Sequence, residues 1–282
     1  MTRSTASFNS TALVSKSRLR LLACLTPAVV IFFAFWLLPM VWLIVLPAQK
    51  GWVTYFAVLT NIKYWLSLLN TVGLSLVVTL ATLVLGSAVG LFLARHRFVG
   101  RQALLSLLTL PLSFPGVIIG FFMILLGGRQ GLLADLSEAL GGGRLTLAYG
   151  LLGLFLAYLY FSLPRAIATY AAAAEKMDIA LEEAAKTLGA SRYRIVRDVW
   201  IPELAPTTLA CAAIVFATSM GAFGTAFTLA TKFEVLPITI YSEFTNYANF
   251  SLAASLSIAL GLVTWLVLYL GRRYSEASSA VL

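Results

Sequence analysis

Charge is scarce in this chain, and it is missing altogether from its longest segments. Of 282 residues only 11% are Asp, Glu, Lys or Arg, against 60% that are hydrophobic, and the mean hydropathy is +0.93. So little polar surface cannot clothe a water-soluble globule, which places the chain in lipid. One histidine, His96, and two cysteines, Cys24 and Cys211, leave a metal cluster, a catalytic triad or a disulfide framework with almost nothing to be built from. His96 reads as an interfacial loop residue and the cysteines as packing residues. The sequence also lacks a Gly-x4-Gly-Lys-Ser/Thr phosphate loop, so no nucleotide site of that kind is expected in it.

Six segments are wholly free of Asp, Glu, Lys and Arg: Leu21 to Gln49, Tyr64 to Ala94, Gln102 to Gly128, Leu145 to Pro164, Leu204 to Thr231 and Phe244 to Gly271. About 20 apolar residues at ~1.5 Å each cross a hydrocarbon core, so each segment is long enough to span. Period-2 alternation broken by regular turns, the mark of a membrane barrel, is missing. Backbone groups in lipid must then be satisfied within helices, and the expected fold is an all-α membrane bundle of six transmembrane helices. The first segment follows a charged start but is too long for a cleaved signal, and is read as an uncleaved span.

Orientation follows from the basic residues. With the N-terminus inside, the inner segments hold fifteen of the twenty Lys and Arg and the outer ones five, which puts both termini in the cytoplasm. The net charge of +9 is thereby a topology signal. No patch of basic and aromatic residues of the sort that nucleic acid requires accompanies it. Among the outer segments, Trp52, Tyr55, Phe56, Tyr64 and Trp65 suit an aromatic anchor. Gly131 to Gly143 suits a short interfacial helix, and Lys232 to Phe250 either an anchor or a lip re-entering the bundle mouth.

Two spans carry breakers. Pro111 and Pro115 should kink or break the third, and Met220-Gly221-Ala222-Phe223-Gly224 interrupts the fifth. Broken helices in lipid are tolerated where they line protein or a wet cavity. Ser113, Phe114, Met220, Phe223 and Thr225 are therefore the candidate pathway residues, set against plain packing by small residues.

The polar island from Glu175 to Pro202 is the strongest signal. Asp178 caps a short helix carrying Glu182 and Glu183, with Leu181, Ala184, Ala185 and Leu188 on one face and Gly189 as its stop. Ser191 caps a second helix, through Trp200, which Pro202 is expected to end before the fifth span. Six acidic residues balance six basic ones between Arg165 and Glu203, a poor composition for lying on anionic lipid, so a protein partner is favoured.

Glu183-Ala184-Ala185, three residues, Gly189, nine residues, then Val199-Trp200-Ile201-Pro202 resembles the EAA motif of binding-protein-dependent ABC importer permeases, Glu-Ala-Ala, x3, Gly, x9, Ile-x-Leu-Pro. The departures at Val199 and Ile201 keep apolar character. The resemblance implies a type I ABC importer permease in the bacterial cytoplasmic (inner) membrane. Its tails would be residues 1–20 and 272–282, its permease domain 21–271 and its coupling loop 172–203. It implies ATPase coupling through Glu183, Ala184, Ala185, Gly189, Leu181, Leu188 and Pro202, with Glu183 reaching a basic residue of the ATPase and Gly189 making the bend. ATP and Mg would be bound by a separate ABC ATPase dimer, so this chain would be no enzyme and hold no cofactor. A second permease subunit and a periplasmic solute-binding protein complete the implied assembly. The run Leu188-Gly189-Ala190-Ser191, Pro202 with Pro206, and the third span's prolines look most like polyamine, opine and phosphonate permeases such as the spermidine/putrescine permease, with sulfate, thiamine and ferric-iron permeases next.

An ion-coupled secondary transporter or channel is the alternative class, and a membrane scaffold or enzyme a third. Carriers of the first kind commonly keep ionisable groups at membrane depth, and the six spans have none. That moves the expected energy source to the inner loop. The expected mechanism is alternating access driven by ATP through the coupling helices.

Overall fold

The computed structural model describes residues 25–231 and 233–279. Expectations placed on residues 1–24, Cys24 included, on Lys232 and on residues 280–282 lie outside them. Every regular element among the described residues is helical.

The chain opens with α1, Leu25–Ala48, and after two short turns at Trp52–Phe56 and Ala57–Thr60 runs back through α2, Ile62–Arg95, whose start is capped by the Asn61 side chain accepting from the Lys63 N–H. The third crossing is interrupted. α3, Arg101–Thr109, gives way to a 3-10 turn at Leu110–Ser113 and an extended Phe114, and α4, Gly116–Gly127, starts after Pro115. This is the break expected from the two prolines. The outer helix α5, Leu132–Ala139, follows. Next come α6, Leu151–Lys176, the inner helix α7, Ile179–Thr187, and α8, Arg192–Met220. α9, Phe223–Leu229, α10, Leu236–Thr245, and α11, Phe250–Ser279, complete the chain. Six of the helical segments are long and apolar enough to cross a bilayer.

Five boundaries differ from the sequence reading. The fourth span starts at Leu151 and does not stop at Pro164, because α6 continues through it to Lys176. The Ala171 to Ala174 run is strongly helix-favouring, and one lost hydrogen bond is a tolerable cost inside a bundle. Likewise Pro202 does not end the second inner helix. The chain stays helical from Arg192 to Met220, with a π turn at Val196–Trp200 whose wider spacing lets the Ile201 N–H reach the Val196 carbonyl. Pro202 falls in the first turn of the α-helical stretch beyond it, where a missing N–H costs little. The fifth span stops at Met220 and resumes in α9, and the sixth begins at Phe250, leaving residues 236–245 as a separate helix.

Close backbone approach holds the bundle together. Gly86 and Gly90, four residues apart on one face of α2, lie against α6 so tightly that an added Cβ would sit 2.6 Å from Ala166 Cβ and 2.7 Å from Tyr170 Cβ, respectively. Small residues at this spacing are how helices associate in lipid, where apolar burial offers no driving force. Gly116 and Gly120 repeat the device between α4 and α9, and Gly271 against Ala213 does so between α11 and α8. A buried hydroxyl row on α2 runs through Ser67, Thr71, Ser75, Thr79 and Thr82. Its outer end ties α10 down: Ser67 Oγ and Thr239 Oγ1 lie 2.8 Å apart, Thr71 Oγ1 accepts from the Leu236 N–H at 2.7 Å, and Tyr64 donates to Glu243 at 3.0 Å. Residues 236–245 are thus packed into the bundle mouth by buried Leu236, Pro237, Thr239 and Glu243. Large apolar side chains on the outward faces, such as Phe35, Val84 and Trp265, make the surface that lipid would cover.

Candidate functional site

Two regions combine polar groups with unusual backbone. The first is the inner-face unit built from α7 and the start of α8. Asp178 caps α7 by accepting from the Ala180 N–H at 2.9 Å. At the other end the Gly189 N–H donates to Lys186 O and the Ala190 N–H to Ala185 O, the paired bonds of a Schellman stop. Gly189 has φ +76° with nothing within 4 Å of the place a Cβ would take, so its backbone conformation alone calls for glycine there. Ser191 then caps the next helix through the Arg194 N–H.

The two neighbouring glutamates of this unit face opposite ways. Glu182, 14% exposed at its side chain, lies 3.1 Å from the Arg95 guanidinium at the end of α2 and 2.8 Å from Lys186. The Lys186 hydrogen bond, with the Arg95 charge beside it, holds its carboxyl below the ordinary carboxylate range. Arg95 in turn stands over the Trp200 ring, 5.4 Å from its centroid. Glu203 Oε1 accepts from the Asp178 N–H at 3.3 Å, and Arg101 pairs with Glu175. These contacts join α7 to α2 and α8, and α3 to α6. Glu183 is exposed and has no ion pair among the described residues. Leu181 and Leu188 are 54% and 87% exposed, Ala184 and Pro202 are exposed, and Ala185 is half covered. An apolar, acidic ridge therefore projects from an ion-paired base.

The second region lies where the two broken crossings meet. A cavity of about 440 Å³ opens between the start of α4, the middle of α6 and the gap between α8 and α9, with Gly116, Tyr158, Ser162, Ser219, Phe223 and Thr225 among its walls. Thr225 Oγ1 donates to the Gly116 carbonyl at 3.1 Å, and Tyr158 donates to the Ala222 carbonyl at 2.8 Å. The first bond ties α9 to the start of α4, and the second ties α6 to the gap between α8 and α9. Gly224 packs so near Val117 that a Cβ there would fall 2.9 Å from the Val117 nitrogen. Of the candidate pathway residues, Phe223 and Thr225 line this cavity. Met220 is buried in a cluster with Leu68, Phe216 and Leu236, Phe114 stands edge-on to Phe122, and Ser113 is exposed. Sequence reasoning missed Tyr158, Ser162 and Ser219. Two of these sit in unbroken helix, and only their hydroxyls in an otherwise apolar stretch distinguish them.

Residues 83–276 match the family model of binding-protein-dependent transport system inner membrane components. The chain is 32% identical over 234 residues to the sulfate transport system permease protein CysT of Escherichia coli strain K12, covering 80% of this chain and 83% of that protein. It is 30% identical over 211 residues to the molybdenum transport system permease protein ModB of the same strain, covering 72% and 91%. In fold it is similar to a chain of a bacterial alginate ABC transporter solved with an alginate pentasaccharide-bound periplasmic protein, with a TM-score of 0.78 at 19% identity over 93% of this chain and 96% of that one.

Proposed function

Since this chain belongs to the family of binding-protein-dependent transport system inner membrane components and is a permease subunit of an ABC importer, we propose that its cargo is a tetrahedral oxyanion of the sulfate and molybdate class. The observation that carries this is its likeness, over most of its length, to permeases named for those two solutes. This reverses the order read from the sequence, in which polyamine, opine and phosphonate permeases stood ahead of sulfate. The residues behind that order sit mainly on the inner face and at helix breaks, positions that govern coupling and backbone geometry and carry little information about the solute.

Coupling runs through the inner-face unit. Leu181, Ala184, Ala185 and Leu188 seat in a cleft of a cytoplasmic ATPase dimer, which binds the ATP and Mg, and exposed Glu183 meets a basic residue there. Gly189 sets the angle, and Pro202 marks where the inner helix joins the fifth crossing. A second permease chain pairs with this one, and a periplasmic binding protein delivers the solute to the outer mouth. The ridge on an ion-paired base supports this reading, since a docking surface passes on force only if it is fixed to the helices it must move.

The test is ATP hydrolysis by the reconstituted importer in response to its loaded binding protein, across sulfate, molybdate, phosphonates, ferric iron, thiamine and spermidine. Stimulation by sulfate or molybdate, with none by spermidine, is the expected outcome. Stimulation by spermidine alone overturns the oxyanion assignment.

A further inference from the structure

We propose that Ser162, Ser219 and the first turn of α4 form an anion subsite partway across the membrane, where the oxyanion rests during passage. The proposal rests on the oxyanion reading above and adds the residues that would hold the ion. Ser162 and Ser219 are each only 3% exposed, and neither hydroxyl has a hydrogen-bond partner among the described residues. That is unusual in two respects. A buried hydroxyl without a partner is costly, and in a helix the simple remedy is to bond the carbonyl one turn back. Thr71, Thr79, Thr169 and Thr218 of this chain do so, whereas Ser162 and Ser219 do not. Ser75 and Thr82 are unpaired too, but they lie on α2 and do not line the cavity.

The two free donors share their cavity with the beginning of a 12-residue helix. Pro115 at the N-cap of α4 provides no side-chain hydrogen bond, so the first-turn N–H groups and the positive end of the helix dipole are left without a capping side chain. Gly116 is part of the cavity wall, and with no side chain it lets Thr225 of α9 approach the start of α4, 3.0 Å from where a Cβ would sit. The break stands between nine residues of α3 and twelve of α4, about 14 Å and 18 Å of helix, within the charge-free stretch from Gln102 to Gly128. Half-helix starts within a span suit anionic groups.

None of the residues that form the cavity wall is charged. Arg165 stands behind the wall, over the ring of Phe161 and 5.7 Å from its centroid, so an oxyanion there would be held directly by hydroxyls and peptide dipoles, firmly enough to enter and weakly enough to leave, as conduction requires. A fixed Lys or Arg would hold a dianion too strongly for release.

The experiment measures uptake of labelled sulfate and of molybdate into liposomes carrying the complete importer, with saturating binding protein, for the wild type, Ser162→Ala, Ser219→Ala, the double variant, and Ser162→Thr and Ser219→Thr. Each lost hydroxyl should lower the maximal uptake rate about tenfold, the usual worth of a hydrogen bond to a charged group. The concentration of loaded binding protein giving half-maximal rate should not change, and the threonine variants should recover much of the rate by restoring a donor. Alanine variants that assemble in wild-type amount and transport at the wild-type rate overturn the subsite while leaving the oxyanion reading intact. A wild type that takes up neither anion overturns that reading and the subsite with it. If an alanine variant does not assemble, Ser162→Cys and Ser219→Cys, similar in size but poor donors, replace it, and wild-type rates in both then count against the subsite.

Discussion

At the scale of single residues, the adjacent Glu182 and Glu183 separate a structural role from the docking role proposed above. Glu182 is ion-paired to Arg95 and Lys186, and Glu183 is exposed. Glu183→Lys should therefore abolish co-purification of the ATPase and leave the thermal stability of the permease unchanged, whereas Glu182→Gln should lower stability first. The pH dependence has a definite sign. Because the folded carboxyl of Glu182 is held below its ordinary value, its contribution is fully present above about pH 4 and is lost as pH falls through the folded value. Amide exchange across residues 178–190 should quicken on acidification in the wild type and respond less in Glu182→Gln. An unchanged pH response in that variant would show that other carboxylates hold the helix. Which glutamate turns inward was not legible in the sequence, since Arg95 and Lys186 are respectively remote and local partners of the same carboxylate and only the fold brings them together.

At the scale of elements, glycine acts by two different means, and the expected losses differ accordingly. Gly189 has open space around it but a left-handed backbone, so Gly189→Ala should cost about 1–2 kcal/mol and loosen the turn without disturbing the bundle. Gly90 has an ordinary helical backbone, but a Cβ would lie 2.9 Å from the Ile167 carbonyl. Gly90→Leu should separate α2 from α6 and cost at least about 1–3 kcal/mol, visible as reduced recovery of folded protein in detergent at matched expression. Spans, caps and the break in the third crossing were legible because each depends on local chemistry: charge-free length, Asp178 and Ser191 before a helix, Pro111 and Pro115 within one. The ends of α6 and the continuity of α8 were not. The fourth charge-free segment closes at Arg165, which α6 carries within the helix, and Pro202 looks like a terminator in isolation, yet the helix continues past it through a π turn. The cavity was half legible for the same reason. Glycine and proline revealed its broken helices, and nothing local distinguishes Ser162 or Ser219 from a packing serine until α4 and α9 close around them.

At the scale of the whole molecule, the two candidate regions lie apart, one on the inner face and one where the third and fifth crossings break. The topology read from basic residues predicts that a lone cysteine introduced at Ser191 is labelled by an impermeant thiol reagent only from the cytoplasmic side, and one at Ser137 only from outside. The reverse pattern would invert the assignment of coupling and solute faces. The continuity of α8 has a mechanical consequence. From the Ser191 cap to Met220 this helix runs without a break, about 43 Å of rod at 1.5 Å per residue. One end stands beside the docking ridge, and the other carries Ser219 into the cavity. With the π turn at Val196–Trp200 as a fulcrum, a tilt of about ten degrees sweeps the far end by about 5 Å. Under the coupling proposed above, a push at the inner face would become displacement of the cavity wall, with the inner arm short and the outer arm long.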